Sequence, residues 1–224
     1  IKKAYESRDP RLQMAVITPY AQYNGASSGI AHTYTLRWPY RGSDSAEPFD
    51  IRTDTNDKFY YLWRKFVPEG LEQTERDTYG LDIPLIRYAE VLLLKAEALN
   101  EWGSTHESEA IRCVNEVRRR AGHVELNNAT YPATKVNGQS DLRERIRNEY
   151  YWEIGGEDSM YFHELRWGTW KDKKFDNNRN GLMQMWGETT YTWYWLGDQC
   201  WSWPIPAKEM EMNSNLEQNE GWIN

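Results

Sequence analysis

Apolar side chains recur at intervals of three and four in the middle of the chain and lose that rhythm on either side. Leu85, Tyr88, Ala89, Leu92, Ala96, Leu99 and Trp102 share one helical face. They predict a helix from Asp82, a good N-cap with Pro84 in the first turn, to Gly103. Ala110, Cys113, Val114, Val117 and Ala121 line a second helix. It starts near Ser104, where Ser104-x-x-Glu107 has capping-box form, and Gly122 can close it. The two make an αα-hairpin, the unit of helical repeats, although no 34-residue repeat recurs within the chain. After a polar connector over 123–139, Leu142, Ile146 and Tyr150 predict a third helix over about 141–154, broken by Gly155-Gly156. A shorter helix is expected over 158–167 and a last one over 208–212.

Residues 1–81 carry little periodicity. Pro, Gly, Ser and Asp recur, with strand-like runs at Met14–Thr18 and Thr33–Trp38, so loops packed on a scaffold are expected. Long loops are where binding residues tend to sit. Residues 171–200 form a Gly/Asn-rich aromatic stretch. The whole reads as a mainly α domain over 1–224 with minor β-hairpins. Its parts are a loop-rich ligand side (1–81), a helical hairpin (82–122) and C-terminal helices with aromatic loops (140–224).

Charge narrows the partners. A net charge of −7 repels phosphate backbones, so nucleic acid is not expected. The basic run Arg118-Arg119-Arg120 sits where it complements a helix C-terminus. The longest apolar run, Val91 to Leu94, is far too short to cross a bilayer, and the opening residues lack the apolar core of a signal peptide. A start at Ile1 without Met reads as a processed or truncated piece. Cys113 and Cys200 permit at most one disulfide, and Cys113 falls on the apolar face of the second helix, as a small core residue would.

Aromatic usage is the unusual number: 12 Trp and 15 Tyr against 5 Phe. Trp and Tyr suit half-wet surfaces where a ring stacks on a sugar face and a polar edge bonds a hydroxyl. The candidates are Tyr20 and Tyr23 beside Gln22 and Asn24, then Trp38, Tyr40 and Arg41. The densest group is Trp186, Tyr191, Trp193 and Trp195, followed by Asp198. Packing of each against the helices is the competing reading.

Other chemistry is weakly signalled. Glu149 and Glu153 lie four apart with Glu157 following, the residue type a glycosidase needs for its acid and its nucleophile or base. Such pairs are common on helices, and Arg145, Arg147 and Arg166 are available to neutralise them. The four histidines form no zinc motif, and no nucleophile elbow or phosphate-binding glycine loop occurs. Asp176 to Gly181 matches the start of an EF-hand loop, but its twelfth position is Gly187, so a solvated turn is favoured over calcium. Neither cofactor nor metal is implied.

Three segments in order resemble the SusD/RagB family. They are Ile83-Pro84-Leu85-Ile86-Arg87-Tyr88-Ala89-Glu90 through Glu97, Arg147-Asn148-Glu149 through Arg166-Trp167-Gly168, and Trp203-Pro204-Ile205-Pro206 through Gln218-Asn219-Glu220-Gly221. Arg8-Asp9-Pro10-Arg11-Leu12 matches a fourth phrase. Tyr150-Tyr151, Asp158, Met160 and His163 depart from the usual pattern. The resemblance implies TPR-like helical hairpins forming an α-superhelix with long irregular loops. Arg87, Glu90, Glu97, Glu149, Glu153, Glu157, Arg166 and Trp167 would be its structural motif. It further implies a non-catalytic binder of oligosaccharide, or in some members of peptide. Such a protein is lipid-anchored at the cell-surface face of the outer membrane through an N-terminal segment outside this chain, and partners a SusC-like TonB-dependent transporter. A glycoside hydrolase using Glu149 or Glu153 with Glu157, and a scaffold that mainly docks the transporter, are the alternatives.

Overall fold

Helices form where the apolar rhythm is strong, and short strands fill the region where it is absent. The computed structural model describes residues 3–6, 8–27, 30–37, 50–52, 62–67, 69, 82–157, 159–174 and 195–222. In chain order these comprise α1 (Lys3–Glu6), α2 (Arg11–Ala15), β1 (Val16–Ile17), β2 (Gln22–Ser27), β3 (Ile30–Arg37), β4 (Asp50–Arg52) and β5 (Leu62–Trp63). The long helices α3 (Tyr88–Trp102), α4 (Glu107–Arg120) and α5 (Gln139–Ile154) follow. The last elements are α6 (Ser159–Arg166), α7 (Trp170–Lys174) and α8 (Ala207–Met212). Two compact units divide the chain, residues 1–160 and 161–224.

In the first unit α3 packs on both α4 and α5, and α2 rests on α5. The seam is built from Leu93, Ala96, Ala110, Val114, Leu142, Ile146, Tyr150 and Ile154, all essentially without exposure. Cys113 belongs to this core and is a free thiol, as is Cys200. Amide side chains fasten the ends. Asn100 and Gln139 exchange side-chain to backbone hydrogen bonds at 3.2 and 2.7 Å, tying the end of α3 to the start of α5. Asn115 accepts from the Leu126 N–H at 2.7 Å and donates to its carbonyl at 3.2 Å.

Two starts differ from expectation. α3 begins at Tyr88 rather than Asp82, because Arg87 is extended (φ −114°, ψ 147°). Pro84 disfavours helical geometry in Ile83, and the ion pairs of the Arg87 side chain hold the entry instead of a capping group. The buried face is correspondingly Leu92, Leu93, Ala96, Leu99 and Asn100, while Leu85, Tyr88 and Trp102 face outward. The capping box does not form either. Ser104–His106 make a 3-10 turn, and α4 starts at Glu107 without a side-chain cap. At its far end Gly122 (φ 71°) allows the His123 N–H to reach the Arg118 carbonyl at 2.9 Å, closing the helix as expected.

β2 and β3 pair antiparallel with Tyr23 opposite Tyr34 and Gln22 opposite Thr35, and β4 adds parallel to β3. β1 and β5 form a separate two-stranded ladder with Val16 opposite Trp63. In the second unit Gln218 brackets Ile205, accepting from its N–H at 2.7 Å and donating to its carbonyl at 2.9 Å. Asn219 donates to the Trp203 carbonyl at 2.6 Å. The Trp203–Pro206 and Gln218-Asn219 phrases of the sequence are thus two halves of one clip.

Candidate functional site

A sharp turn borders one cavity among the described residues of the first unit. Thr18-Pro19-Tyr20-Ala21 is closed by the Ala21 N–H to the Thr18 carbonyl at 2.9 Å. Proline followed by a positive φ is the order of a type II turn, whose third position normally holds Gly or Asn. Here it holds Tyr20, at φ 64°. A left-handed tyrosine costs about 1–3 kcal/mol. The Tyr20 N–H to the Leu36 carbonyl (2.8 Å) and the Leu36 N–H to the Ala21 carbonyl (3.0 Å) pin the turn to β3.

The turn borders a cavity of about 380 Å³, of a size that suits a small ligand. Tyr5 and Tyr20 supply rings, and Gln13, Thr18, Gln22, Thr35, Glu6 and Arg64 supply polar groups. Arg64 is a strut. Its Nε pairs with Glu69 at 2.6 Å, Nη1 donates to the Gln13 carbonyl at 3.0 Å, and Nη2 donates to the Gln22 carbonyl. Glu69 also accepts the Asn24 N–H at 3.0 Å, so α2, β2 and the segment after β5 are joined through two side chains.

Beside the cavity lies a buried ionic network. Glu149, with no exposure, meets Arg11 at 2.7 Å and Arg118 at 2.7 Å. Glu153 meets Arg11 at 3.1 Å, Arg87 at 2.9 Å and Arg120 at 2.5 Å. Glu157 takes Arg87 at 2.7 Å and Lys65 at 2.5 Å, and Asp9 takes Arg11 at 2.6 Å. Burial alone would raise the Glu153 pKa, but hydrogen bonds from Arg87 and Arg11 and the charge of Arg120 overcome it and hold the carboxyl below its ordinary value. Asp9 is likewise held down against its burial by hydrogen bonds from Arg11. Burial pushes the His123 imidazole down, with Asp9 opposing.

The neutralising arginines are therefore not the ones expected. Arg145 bonds Asp141 at 2.9 Å and Arg147 bonds Glu144 at 3.3 Å, whereas the buried pair is served by Arg11, Arg87, Arg118 and Arg120. The basic run at the end of α4 is also more than a dipole partner, since Arg119 pairs with Glu125 at 3.0 Å. Arg166 reaches His163 Nδ1 at 3.0 Å and lies over the Trp167 ring. Glu90 is buried on α3 and Glu97 half-buried.

Of the expected ligand residues, Tyr20 borders the cavity together with Gln22. Tyr23 does not line it. Successive strand residues point to opposite faces, and its ring lies 6.4 Å from that of Tyr34. Gly25 permits this, since a Cβ there would come within 2.8 Å of Tyr34. Trp195, in the second unit, sits 5.0 Å from Trp201, donates to Asp198 at 3.1 Å and has Lys171 over its ring. Trp38, Tyr40, Arg41, Trp186, Tyr191, Trp193 and the 176–181 string lie outside the described residues. Sequence reasoning missed Tyr5, Gln13 and Arg64. The Pro19-Tyr20 pair was the available signal, a turn proline followed by an ill-suited residue.

The profile of the SusD family matches residues 1–222. This chain belongs to the SusD family. Among curated members, it is 32% identical over 139 residues to SusD-like protein P38 of Formosa agariphila, covering 62% of this chain and 24% of that protein. It is 28% identical over 161 residues to the starch-binding protein SusD of Bacteroides thetaiotaomicron, covering 71% and 25%. The chain thus spans about a quarter of the length of these relatives. Solved structures that share its fold include two from Bacteroides species. One is a SusD-like protein from Bacteroides fragilis (TM-score 0.62, 21% identity, 98% of this chain and 40% of that one). The other is a SusD homologue from B. thetaiotaomicron (TM-score 0.61, 23% identity, 96% and 41%). The helical, TPR-like SusD architecture expected from the motifs is the one found. The motif departures leave the carboxylate side of the ionic scheme intact, with Glu149, Glu153 and Glu157 all paired.

Proposed function

We propose that this SusD-family chain is a non-catalytic oligosaccharide-binding module. The observation that carries the reading is Tyr20. A bulky aromatic is held at a strained position beside a cavity whose wall includes the amides of Gln13 and Gln22 and the hydroxyls of Thr18 and Thr35, and strain of this kind clusters at ligand sites. A ring face with neighbouring Gln and Thr groups is the chemistry a sugar requires: apolar C–H faces stack while hydroxyls bond. The printed name of one relative, starch-binding protein, supports the same ligand class.

Hydrolysis is disfavoured on physical grounds. A glycosidase acid needs a raised pKa, but Glu153 is held low by Arg87, Arg11 and Arg120, and Glu149 is buried between Arg11 and Arg118. In the longer protein, this module would present oligosaccharide to a SusC-like TonB-dependent transporter at the outer face of the outer membrane, with a lipid anchor upstream. Family membership supports that placement.

The test is calorimetric titration of this chain with neutral oligosaccharides, before and after Tyr20→Ala. Binding in the micromolar to millimolar range is expected, with a loss of about 1–2 kcal/mol in the variant at an undiminished melting temperature. Equal affinity in both proteins would remove Tyr20 from the site. No reducing sugar should be released from any glycan.

A further inference from the structure

The charge inventory of the Tyr20 cavity specifies more than a sugar. Arg64 is the only cation lining it among the described residues, and its charge is already paired with Glu69 while its Nη1 and Nη2 donate to the Gln13 and Gln22 carbonyls. Redirecting it toward a ligand would break the joint between α2, β2 and the segment after β5. The remaining charged group on the cavity wall is Glu6, exposed on α1 and in no ion pair with a described residue. Among the described residues, the cavity wall therefore carries an uncompensated negative charge, within a chain whose net charge is −7. A sulfate or carboxylate entering it would lose water, gain no cation and face a like charge. Hydroxyls meet no such penalty, because Gln13, Gln22, Thr18 and Thr35 offer both donors and acceptors.

We infer that the Tyr20 cavity selects uncharged sugar units against sulfated and uronate ones, with Glu6 as the discriminating residue. The inference rests on the oligosaccharide-binding reading above and refines it to a ligand class. The same hydroxyl pattern with and without a negative charge is the relevant comparison, since stacking is then held constant.

The experiment uses this chain with gluco-, manno- and galacto-hexaoses, each in its plain form and oxidised at C6 to the uronate, titrated at low salt and in 0.5 M NaCl, roughly where screening is strong. The plain member of at least one pair should bind more tightly than its uronate at low salt. Glu6→Gln should narrow the ratio by about threefold and Glu6→Lys by about tenfold, with smaller changes at high salt. Both substitutions fall on an exposed position, so the melting temperature should hold; the Gln variant preserves shape should the Lys variant fold poorly. Uronates that bind as tightly as the plain sugars, or a ratio untouched by both Glu6 variants, would overturn the selectivity while leaving sugar binding intact. Absence of binding by either series would overturn the oligosaccharide reading itself.

Discussion

Tyr20 sets two requirements against each other at a single residue. Its φ of 64° is the geometry that Gly and Asn adopt without strain, yet its ring borders the cavity. Tyr20→Asn should therefore leave stability unchanged or raise it by up to about 1 kcal/mol in urea unfolding, while sugar affinity falls. A variant that loses both would show that the ring is a packing element. Arg11 is the opposite kind of residue. It is buried, and burial lowers its pKa less than hydrogen bonds to Asp9 and the charge and hydrogen bond of Glu149 raise it. Its role is wholly internal: one guanidinium touches Asp9, Glu149 and Glu153.

Among the elements, α3 shows how far a pattern of apolar residues reaches. Leu92, Ala96 and Leu99 of its inner face are legible in the spacing and Leu93 is not, yet Leu93→Ala should cost about 2–5 kcal/mol in urea unfolding, since Leu93 has no exposure at all. Val91, 46% exposed on the same helix, should cost well under 1 kcal/mol on the same change. Equal effects would mean that the helix is rotated. The existence of α3, α4 and α5 and most of their core positions followed from spacing alone. The helix starts did not, because Arg87 is fixed by Glu153 and Glu157, residues some seventy positions away that no local propensity encodes. The cavity escaped for the same reason: Tyr5, Gln13, Tyr20 and Arg64 are brought together by the pairing of β1 with β5 and of β2 with β3. Tyr20 and Tyr23 looked like one cluster because sequence proximity conceals strand alternation.

For the molecule as a whole, the buried network makes stability depend on pH. The unfolded chain protonates Glu153 and Asp9 more readily than the fold does, so their contribution is complete above the ordinary values of 4.5 and 3.8 and is lost as pH falls through their lower folded values. His123 is also held below its ordinary 6.5, so the unfolded chain takes up that proton first and a smaller loss begins near that pH. Urea midpoints should be level at neutral pH, dip mildly below about 6.5 and fall steeply below about 4.5. His123→Gln should remove the mild dip alone, and a profile flat to pH 3, roughly a unit below the ordinary Glu value, would show that the network is not linked to folding. The five residues of α2 serve both systems: Arg11 enters the network, and Gln13, two positions on, faces the cavity. A library that randomises positions 13, 22 and 35 while keeping Arg11, Glu149 and Glu153 would diversify the recognition surface without redrawing its foundation. On the proposed oligosaccharide-binding reading, ligand preference in this scaffold would be an editable property, separable from the residues that make the chain fold.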